Sequence, residues 1–143
     1  IPLKSTVAGI NQGSSSLDVG KPGGLLSIGT FLDPTLAKSD NLVGNVLGLE
    51  GKIPPVFNNL KLEMHTFERL VDAKQVKNEV RQNDALLMNV NTSRTIGTCT
   101  KPGKVAEFVL KIPVCASIGD KVALSRQIES KWRLIGWGII LKQ

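Results

Sequence analysis

Aromatic side chains are scarce in this sequence, since they make up 4% of its 143 residues and tyrosine does not occur. A chain with so few rings is poorly suited to stacking many nucleic-acid bases on a broad aromatic platform. Long apolar runs do not occur either, because none approaches the ~18 residues that a membrane-spanning helix needs. Signal-peptide and lipidation motifs are also missing. These absences predict a soluble, cytoplasmic protein with no membrane partner.

Side chains that commonly carry catalysis or bind metals are few as well. His65 is the single histidine, and we expect it to be solvated on the exposed face of a strand. Cys99 and Cys115 lack CxxC spacing, so we expect both thiols in the core of a cytosolic protein. Neither cysteine has a sequence context for activation, and no metal-ligand cluster is present. The sequence therefore predicts no catalytic residue and no metal site in this chain.

The phosphate-binding P-loop pattern is missing too. It requires Gly, four residues, Gly-Lys and then Ser or Thr, so that backbone amides wrap the phosphates and the hydroxyl binds magnesium. At Gly20–Lys21 the first glycine is replaced by Ser15 and the hydroxyl by Pro22. The run from Gly97 to Lys104 is one residue too long. We therefore expect no nucleotide cofactor on this chain.

Positive charge is concentrated in one part of the chain. The net charge is +6, and residues 1–48 carry three lysines balanced by three aspartates. All of the excess therefore lies in residues 49–143. A basic surface of this kind favours an acidic partner such as RNA. It is equally typical of a solvated surface that binds nothing.

The fold is predicted from short apolar runs between glycines and prolines. Seven prolines, fourteen glycines and many Val, Ile and Thr residues indicate a mostly β protein. The longest apolar run, Trp132 to Leu141, reads as a strand with two largely apolar faces, which puts Trp132 and Trp137 on opposite sides. A strand covered on both sides belongs inside a sandwich or a closed barrel. Asp120 to Gln127 is the predicted hairpin partner, joined through Ile128 to Lys131.

Other strands precede this hairpin at short intervals. Residues 56–143 are predicted to form a β-barrel after a proline-containing linker at residues 49–55. Its further strands are predicted at Val56–Phe67, Ala85–Asn91, Arg94–Lys101 and Val105–Ile112. A polar, exposed excursion at Glu68–Asp84 follows the first of these strands. Pro113–Ser117 follows the last strand after a break. Upstream we predict strands at Ile1–Ile10, Leu25–Leu32 (buried) and Leu42–Leu47, with turns or loops at Asn11–Ser16 and Thr35–Asn41.

Several separated blocks carry a family resemblance, in order and at suitable spacing. They are Pro22–Asp33, Asp40–Gly48, Ala85–Val90, Ile112–Ala116, Ala123–Gln127 and Trp132–Gly138. With these blocks the chain resembles the gamma subunit of translation initiation factor 2, in its archaeal rather than its eukaryotic form. The match is to the rear part of that family. The resemblance implies an all-β chain in which residues 1–48 are the C-terminal portion of a domain-II-type barrel, and residues 56–143 are an antiparallel domain-III-type barrel.

The resemblance also implies a function. Members of the family are GTPases that deliver initiator methionyl-tRNA to the small ribosomal subunit. The expected partners are therefore initiator methionyl-tRNA, the alpha and beta subunits of the same factor, and small-subunit ribosomal RNA. GTP and magnesium would bind a GTPase domain that this chain does not contain, so the chain is expected to begin partway through the preceding barrel.

A glycine-rich segment is the first candidate contact site. Adjacent glycines at Pro22–Thr30 expose backbone amides to a close ligand, although a simple bulge or turn has the same composition. Resemblance to translational GTPases, including elongation factor Tu, implies that this segment helps to form the pocket for the charged 3′ end of tRNA. The matching residues are Gly23, Gly24, Leu25, Ile28, Gly29 and Thr30.

Basic residues of the second barrel form the other candidate site. They are Lys101, Lys104, Lys111, Arg126, Lys131 and Arg133. Each phosphate contact releases about one counterion, so several must act together for appreciable binding. Arg126 and Arg133 have a competing role, because each could pair with a carboxylate such as Glu129 or Asp120. The resemblance implies that this face approaches ribosomal RNA or the tRNA stem.

Two other functions fit the sequence. The chain could be a stand-alone β-barrel that binds proteins and has no RNA role, in which case RNA binding would lack a steep salt dependence. It could also be the C-terminal region of another translational GTPase, such as the selenocysteine-specific elongation factor.

Overall fold

The computed structural model describes residues 2–67 and 78–143. The chain divides into two compact units, Ile1–Leu42 and Val43–Gln143. The boundary predicted at residues 49–55 stays a prediction. Most of the predicted polar excursion, at residues 68–77, lies outside the described residues. No helix in the described ranges is both long and apolar enough to cross a membrane.

The first unit contains a small antiparallel sheet. Its strands are β1 (Val7–Gln12), β2 (Ser15–Leu17) and β3 (Ser27–Thr30), in the order β2-β1-β3. A single helical turn, α1 (Pro34–Ala37), follows and continues into a 3-10 turn at Lys38–Asp40, where a loop or single turn was predicted. Asp33 caps α1 by accepting hydrogen bonds from the Thr35 backbone N (2.9 Å) and Oγ1 (2.8 Å). These two bonds lower the pKa of the Asp33 carboxyl.

Four predictions for the first part of the chain need correction. The strand predicted at Ile1–Ile10 is wrong at both ends, because the described residues 2–6 form no strand and β1 is Val7–Gln12. The turn predicted at Asn11–Ser16 is too long, because β1 runs to Gln12 and β2 starts at Ser15. The buried strand Leu25–Leu32 is wrong in length and burial: pairing with β1 covers Ser27 to Thr30, and Leu25 is 92% exposed. The strand Leu42–Leu47 is also wrong. Gly44 turns the chain there with φ of +84°, and its carbonyl accepts a hydrogen bond from Ser93 Oγ.

The second unit is a closed barrel of six antiparallel strands, which confirms the predicted fold. The strand order is β4-β7-β6-β5-β8-β9, and β4 pairs with β9 to close it. The strands are β4 (Val56–Thr66), β5 (Ala85–Val90), β6 (Ser93–Lys101), β7 (Val105–Cys115), β8 (Lys121–Ile128) and β9 (Lys131–Ile140).

The barrel interior is filled by alternate side chains from every strand, as the pleat of a strand requires. Its fully buried members include Leu60, Leu62, Leu86, Met88, Val90, Cys99, Phe108, Val122, Leu124, Ile135 and Ile140. Cys99 is therefore a core residue, as predicted, whereas Cys115 is only half-buried. Burial raises the pKa of both thiols.

Strand β7 continues through the predicted break. Val109 pairs with Asn59 whereas Val114 pairs with Phe57, so β7 bulges between these two pairs and accommodates Pro113. Thr95 fills the gap in the ladder, since its Oγ1 donates to the Ile112 carbonyl (2.9 Å) and accepts from the Ile112 backbone N (3.0 Å). Two polar groups that the bulge would leave unpaired are thereby satisfied.

A second bulge lies in β9 and overturns the predicted facing of the tryptophans. Leu124 pairs with Gly136 and the next residue of β8, Ser125, pairs with Leu134, so Ile135 is an extra residue. An extra residue reverses the alternation, which places Trp132 and Trp137 on the same face and not on opposite faces. The prediction that this strand is covered on both sides is also wrong for residues 131–134, which are exposed.

Candidate nucleic-acid interface

Antiparallel pairing gathers two turns at one end of the barrel. Glu63 of β4 pairs with Val105, so the β6–β7 turn lies at the C-terminal end of β4. Thr66 pairs with Gly136, so the β8–β9 turn lies at that end as well. We call this end of the barrel, formed by the C-terminus of β4, residues 101–105 and residues 126–134, the hairpin end.

The hairpin end brings together five of the six basic residues predicted as RNA contacts. They are Lys101, Lys104, Arg126, Lys131 and Arg133. The sixth, Lys111, lies in β7 between residues that pair with the first half of β4, and so toward the opposite end of the barrel. The topology therefore separates Lys111 from the other five.

The β6–β7 turn presents two exposed lysines. Gly103, with φ of +145°, provides the backbone conformation for the turn, and the Lys104 carbonyl accepts a hydrogen bond from Met64 N (2.8 Å). Lys101 Nζ lies 3.8 Å from Glu107 Oε1, with both side chains well exposed. A pair of this kind is worth less than ~1 kcal/mol, so a phosphate can replace it easily.

Arg126 differs from the other four basic residues because its guanidinium is already engaged. Its side chain is 18% exposed, and Nη2 lies 2.9 Å from Asp84 Oδ2. The same nitrogen donates to the Glu79 carbonyl at 2.7 Å. Pairing with a carboxylate was an expected alternative for this residue, but the carboxylate is Asp84 and not Glu129 or Asp120. Asp120 instead accepts hydrogen bonds from Asn91 Nδ2 and the Ser117 backbone N.

The β8–β9 hairpin extends beyond the ladders that its two strands form with β5 and β4. Pairing of β8 with β5 ends at Ser125, and pairing of β9 with β4 begins at Gly136. Among the described strands, residues 126–134 therefore form a ladder only with each other, and we call this segment the ribbon. Its two turn residues, Glu129 (φ 48°) and Ser130 (φ 65°), are both left-handed, as a two-residue hairpin turn requires. Lys131 and Arg133 are exposed on it.

The glycine-rich segment lies in the first unit, at the start of β3. Gly23, Gly24 and Leu25 precede the strand and are exposed, whereas Ile28 and Thr30 are half-buried within it. Gly23 has φ of +113°, and a Cβ there would meet no atom within 4 Å. The glycine is thus needed for backbone conformation rather than for space.

Next along β3, Gly29 pairs directly with Gly9 of β1. Two facing glycines leave a strip of backbone without side chains on this small sheet. Gly29 is exposed, whereas Thr30 Oγ1 accepts a hydrogen bond from Leu32 N at 3.4 Å. The segment therefore presents backbone and the exposed Leu25 side chain to solvent, which is the kind of surface that a small polar ligand group can approach.

An aromatic cluster on the barrel exterior was not predicted. The rings of His65 and Trp137 stack with centroids 4.1 Å apart, and Lys121 Nζ lies 5.2 Å from the Trp137 ring. His65 Nε2 is shielded from water and lies 3.1 Å from Glu63 Oε1, outside hydrogen-bond geometry. The expected exposed position of His65 is thus confirmed only in part, because 38% of its side chain is exposed while its Nε2 is not solvated. Only the pairing of β4 with β9 brings these residues together, and local sequence carries no signal for that pairing.

Acidic and thiol side chains of the described residues do not gather into a metal-binding group. Across residues 2–67 and 78–143, no three His, Cys, Asp or Glu side chains are grouped so that they could hold a metal ion. The features that remain are the hairpin end and the glycine-rich segment.

Comparison with known proteins identifies the family of the barrel. The family described as "Initiation factor eIF2 gamma, C terminal" matches residues 58–140, which is most of the six-stranded barrel and more than half of the chain. The chain belongs to this family. The predicted resemblance is thereby confirmed, and it separates this chain from a barrel of unrelated origin.

Individual relatives extend the similarity over nearly the whole chain. Each of the following is named "Translation initiation factor 2 subunit gamma". The protein from Pyrococcus furiosus is 47% identical over 97% of this chain. That from Methanocaldococcus jannaschii is 42% identical over 97%, and that from Methanosarcina mazei is 41% identical over 98%. The chain spans about a third of the length of these relatives, at 33–34%.

Proposed function

We propose that this chain is the C-terminal barrel region of an initiation factor 2 gamma subunit, and that it helps to deliver initiator methionyl-tRNA to the small ribosomal subunit in a GTP-dependent complex. The observation that carries the proposal is the similarity to gamma subunits along 97% of the chain, at 47% identity for the Pyrococcus furiosus protein. Similarity of this extent includes nearly all of residues 1–57 as well as the barrel that the family match covers.

The reactive groups would belong to the rest of the protein. The chain corresponds to about a third of its relatives' length, 34% for the Pyrococcus furiosus protein, and its sequence contains no P-loop pattern. GTP and magnesium would therefore bind outside this chain. The chain would contribute rigid surfaces that bind RNA and the alpha and beta subunits. A closed barrel with short turns is suited to such a binding role.

The two candidate sites would contact different parts of the RNA. The glycine-rich segment, with Gly23, Gly24, Leu25, Ile28, Gly29 and Thr30, would form one wall of the pocket for the charged 3′ end of the tRNA. The hairpin end would contact backbone phosphates of the tRNA stem or of ribosomal RNA, through Lys101, Lys104, Lys131 and Arg133. Arg126 contributes less, because Asp84 and the Glu79 carbonyl already occupy its guanidinium. Lys111 would act apart from this group.

A chimeric factor tests the proposal. This chain replaces the matching region of the Pyrococcus furiosus gamma subunit, and the chimera is titrated with initiator methionyl-tRNA in the presence of GTP or GDP. We expect tighter binding with GTP. Equal affinity in the two nucleotide states would contradict the assignment, provided that the unmodified parent subunit still discriminates between them.

A further inference from the structure

The ribbon carries its positive charge on one face. Arg126 lies directly across the ladder from Arg133, and Lys131 lies across from Ile128. Arg126 and Ile128 follow the buried Leu124 at steps of two residues, so all four of these side chains continue the inner face of the barrel. The three cations of the ribbon are therefore gathered on the same side of it.

Two of these cations oppose each other at one position of the ladder. Like charges directly opposite on one face of an antiparallel pair are destabilising. The Asp84 carboxylate offsets the repulsion, because its Oδ2 lies 2.9 Å from Arg126 Nη2 and the Arg126 side chain is mostly buried. Arg133 is exposed and forms no ion pair with any described residue. Only one of the two arginines is thus already neutralised.

The position of Asp84 is fixed by another part of the barrel. Its backbone carbonyl accepts a hydrogen bond from Cys99 N at 2.9 Å, which anchors the residue to β6. Its Oδ2 also accepts from Arg81 N at 2.9 Å, which closes the turn before β5. The Glu79 carbonyl in the same stretch accepts the second hydrogen bond of Arg126 Nη2, at 2.7 Å. Acceptors that are fixed in advance bind a guanidinium with little further loss of conformational freedom.

A carboxylate and a phosphate compete for the same guanidinium nitrogens. Both are oxyanions that accept charge-assisted hydrogen bonds from arginine. The Asp84 carboxylate therefore occupies the place that an RNA phosphate would need in order to pair with Arg126. Lys131 and Arg133, which are exposed on the same face, have no such competitor among the described residues.

We propose that Asp84 is an intramolecular competitor of RNA phosphate and limits the basic face of the ribbon to two available cations, Lys131 and Arg133. The inference rests on the proposed function, because it specifies which charges of the hairpin end are open to RNA. Asp84 would then set the affinity without touching the RNA. With fewer counterions released, binding is weaker and depends less on salt.

A purely structural role for the ion pair predicts a different result. If Asp84 only stabilised residues 79–84 against the ribbon, its loss would lower the free energy of unfolding and leave the affinity for RNA unchanged or reduced. If Asp84 is a competitor, the affinity for RNA rises even though the folded state is less stable. The sign of the change in affinity separates these two roles.

Salt titrations of RNA binding test the inference. The full 143-residue chain and its Asp84→Asn variant are titrated with a labelled short RNA duplex at several salt concentrations. Asparagine keeps an oxygen that can accept from Arg81 N, but it removes the charge. We expect Asp84→Asn to bind about 2- to 5-fold more tightly at low salt, which is the effect of one exposed ion pair, and to steepen the salt slope by about 0.7–0.9. Adding Arg126→Gln to this variant should remove both gains.

A charge-matched control lies at the other end of the barrel. Asp120→Asn, immediately before β8, also removes one carboxylate charge and should leave binding of the short duplex nearly unchanged. An equal gain in Asp120→Asn, or no gain in Asp84→Asn, overturns the inference and leaves the proposed function intact.

Arg126→Gln in the otherwise wild-type chain provides a second test, which remains informative if Asp84→Asn fails to fold by circular dichroism. We expect an unchanged salt slope, because Arg126 is not available to RNA. A loss of slope as large as that of Arg133→Gln would show that Arg126 already contacts RNA, and the inference would be wrong. If neither the wild-type chain nor Asp84→Asn binds the duplex, the RNA-contacting role of the hairpin end fails together with the inference.

Discussion

Gly136 of β9 lies so close to Thr66 of β4 that a Cβ on the glycine would be 2.8 Å from the Thr66 Cα. The obstacle is backbone and cannot rotate away. This pair closes the barrel, because Thr66–Gly136 is the last register position between β4 and β9. The barrel can therefore close between β4 and β9 only if residue 136 has no side chain.

Substitution of Gly136 by alanine should destabilise the barrel. Overpacking typically costs about 1–3 kcal/mol, and we expect the upper part of that range because the strands must separate. The free energy of unfolding in urea measures the loss. Gly138→Ala is the matched control in the same strand, since its Cβ would meet Leu62 Cβ at 3.1 Å and should cost less. Equal costs for the two variants would contradict the closure argument.

The barrel was predictable from the sequence because the patterns that indicate its strands and turns are local. Alternating apolar residues such as Leu60 and Leu62, and turn residues such as Gly103, identify strands and hairpins one at a time. The facing of Trp132 and Trp137 was not predictable, because a bulge such as that at Ile135 is defined by the pairing between two strands.

The candidate site shows the same division between local and non-local signals. The basic residues could be named from the sequence, but their grouping depends on the strand order β4-β7-β6-β5-β8-β9. That order sets Lys111 apart. It also gives Arg126 its partner Asp84, which lies 42 residues away in the chain. In the first part of the chain, apolar residues led to wrong strand predictions, because the runs around Leu25 and at Leu42–Leu47 resemble strands but pair with no strand in the described residues.

Arg126 should behave as a structural residue. Arg126→Ala leaves Asp84 and the Glu79 carbonyl without a charged donor, and we expect a loss of about 1–3 kcal/mol in the free energy of unfolding. A double-mutant cycle with Asp84→Asn, followed by urea unfolding, isolates the pair. Strictly additive losses would show that the two side chains do not interact. Arg133→Ala, at the opposing exposed position, is the matched control and should cost little.

The cysteines should react slowly and in a fixed order. Burial raises the pKa of both thiols above the ordinary value of 9.0, so the reactive thiolate is rare at neutral pH. Cys115 is half-buried and should be labelled before the fully buried Cys99 by a maleimide reagent, with mass spectrometry of peptides as the readout. Faster labelling of Cys99 would contradict its position in the core.

The same thiols predict a loss of stability in alkali. Because the folded pKa lies above the unfolded value, the unfolded state releases its protons first as the pH rises. The stabilising contribution is therefore complete below about pH 9 and declines above it, through the folded pKa. Thermal unfolding of wild type and Cys99→Ala between pH 7 and 10 measures the difference. The gap between their melting temperatures should narrow at the alkaline end, and a constant gap would rule out a thiol contribution.

The hairpin end should account for most of the salt dependence of RNA binding. Alanine at Lys104, Lys131 or Arg133 should each lower the salt slope by about 0.7–0.9. Alanine at Lys111, toward the other end of the barrel, should leave binding of a short oligomer nearly unchanged and is the matched control. Binding isotherms of one RNA at four salt concentrations provide the slopes. A loss for Lys111→Ala as large as that for Lys131→Ala would show that the grouping of charges is irrelevant.

The central claim is that this chain acts as the C-terminal part of a gamma subunit in translation initiation. The most direct test measures binding of labelled initiator methionyl-tRNA to small ribosomal subunits by the alpha, beta, gamma heterotrimer of Pyrococcus furiosus, with this chain in place of the matching region of gamma. We predict that the chimera delivers initiator tRNA with GTP, and that elongator tRNA and GDP each give weak binding. If the chimeric heterotrimer assembles but delivers no initiator tRNA with GTP, the claim is contradicted.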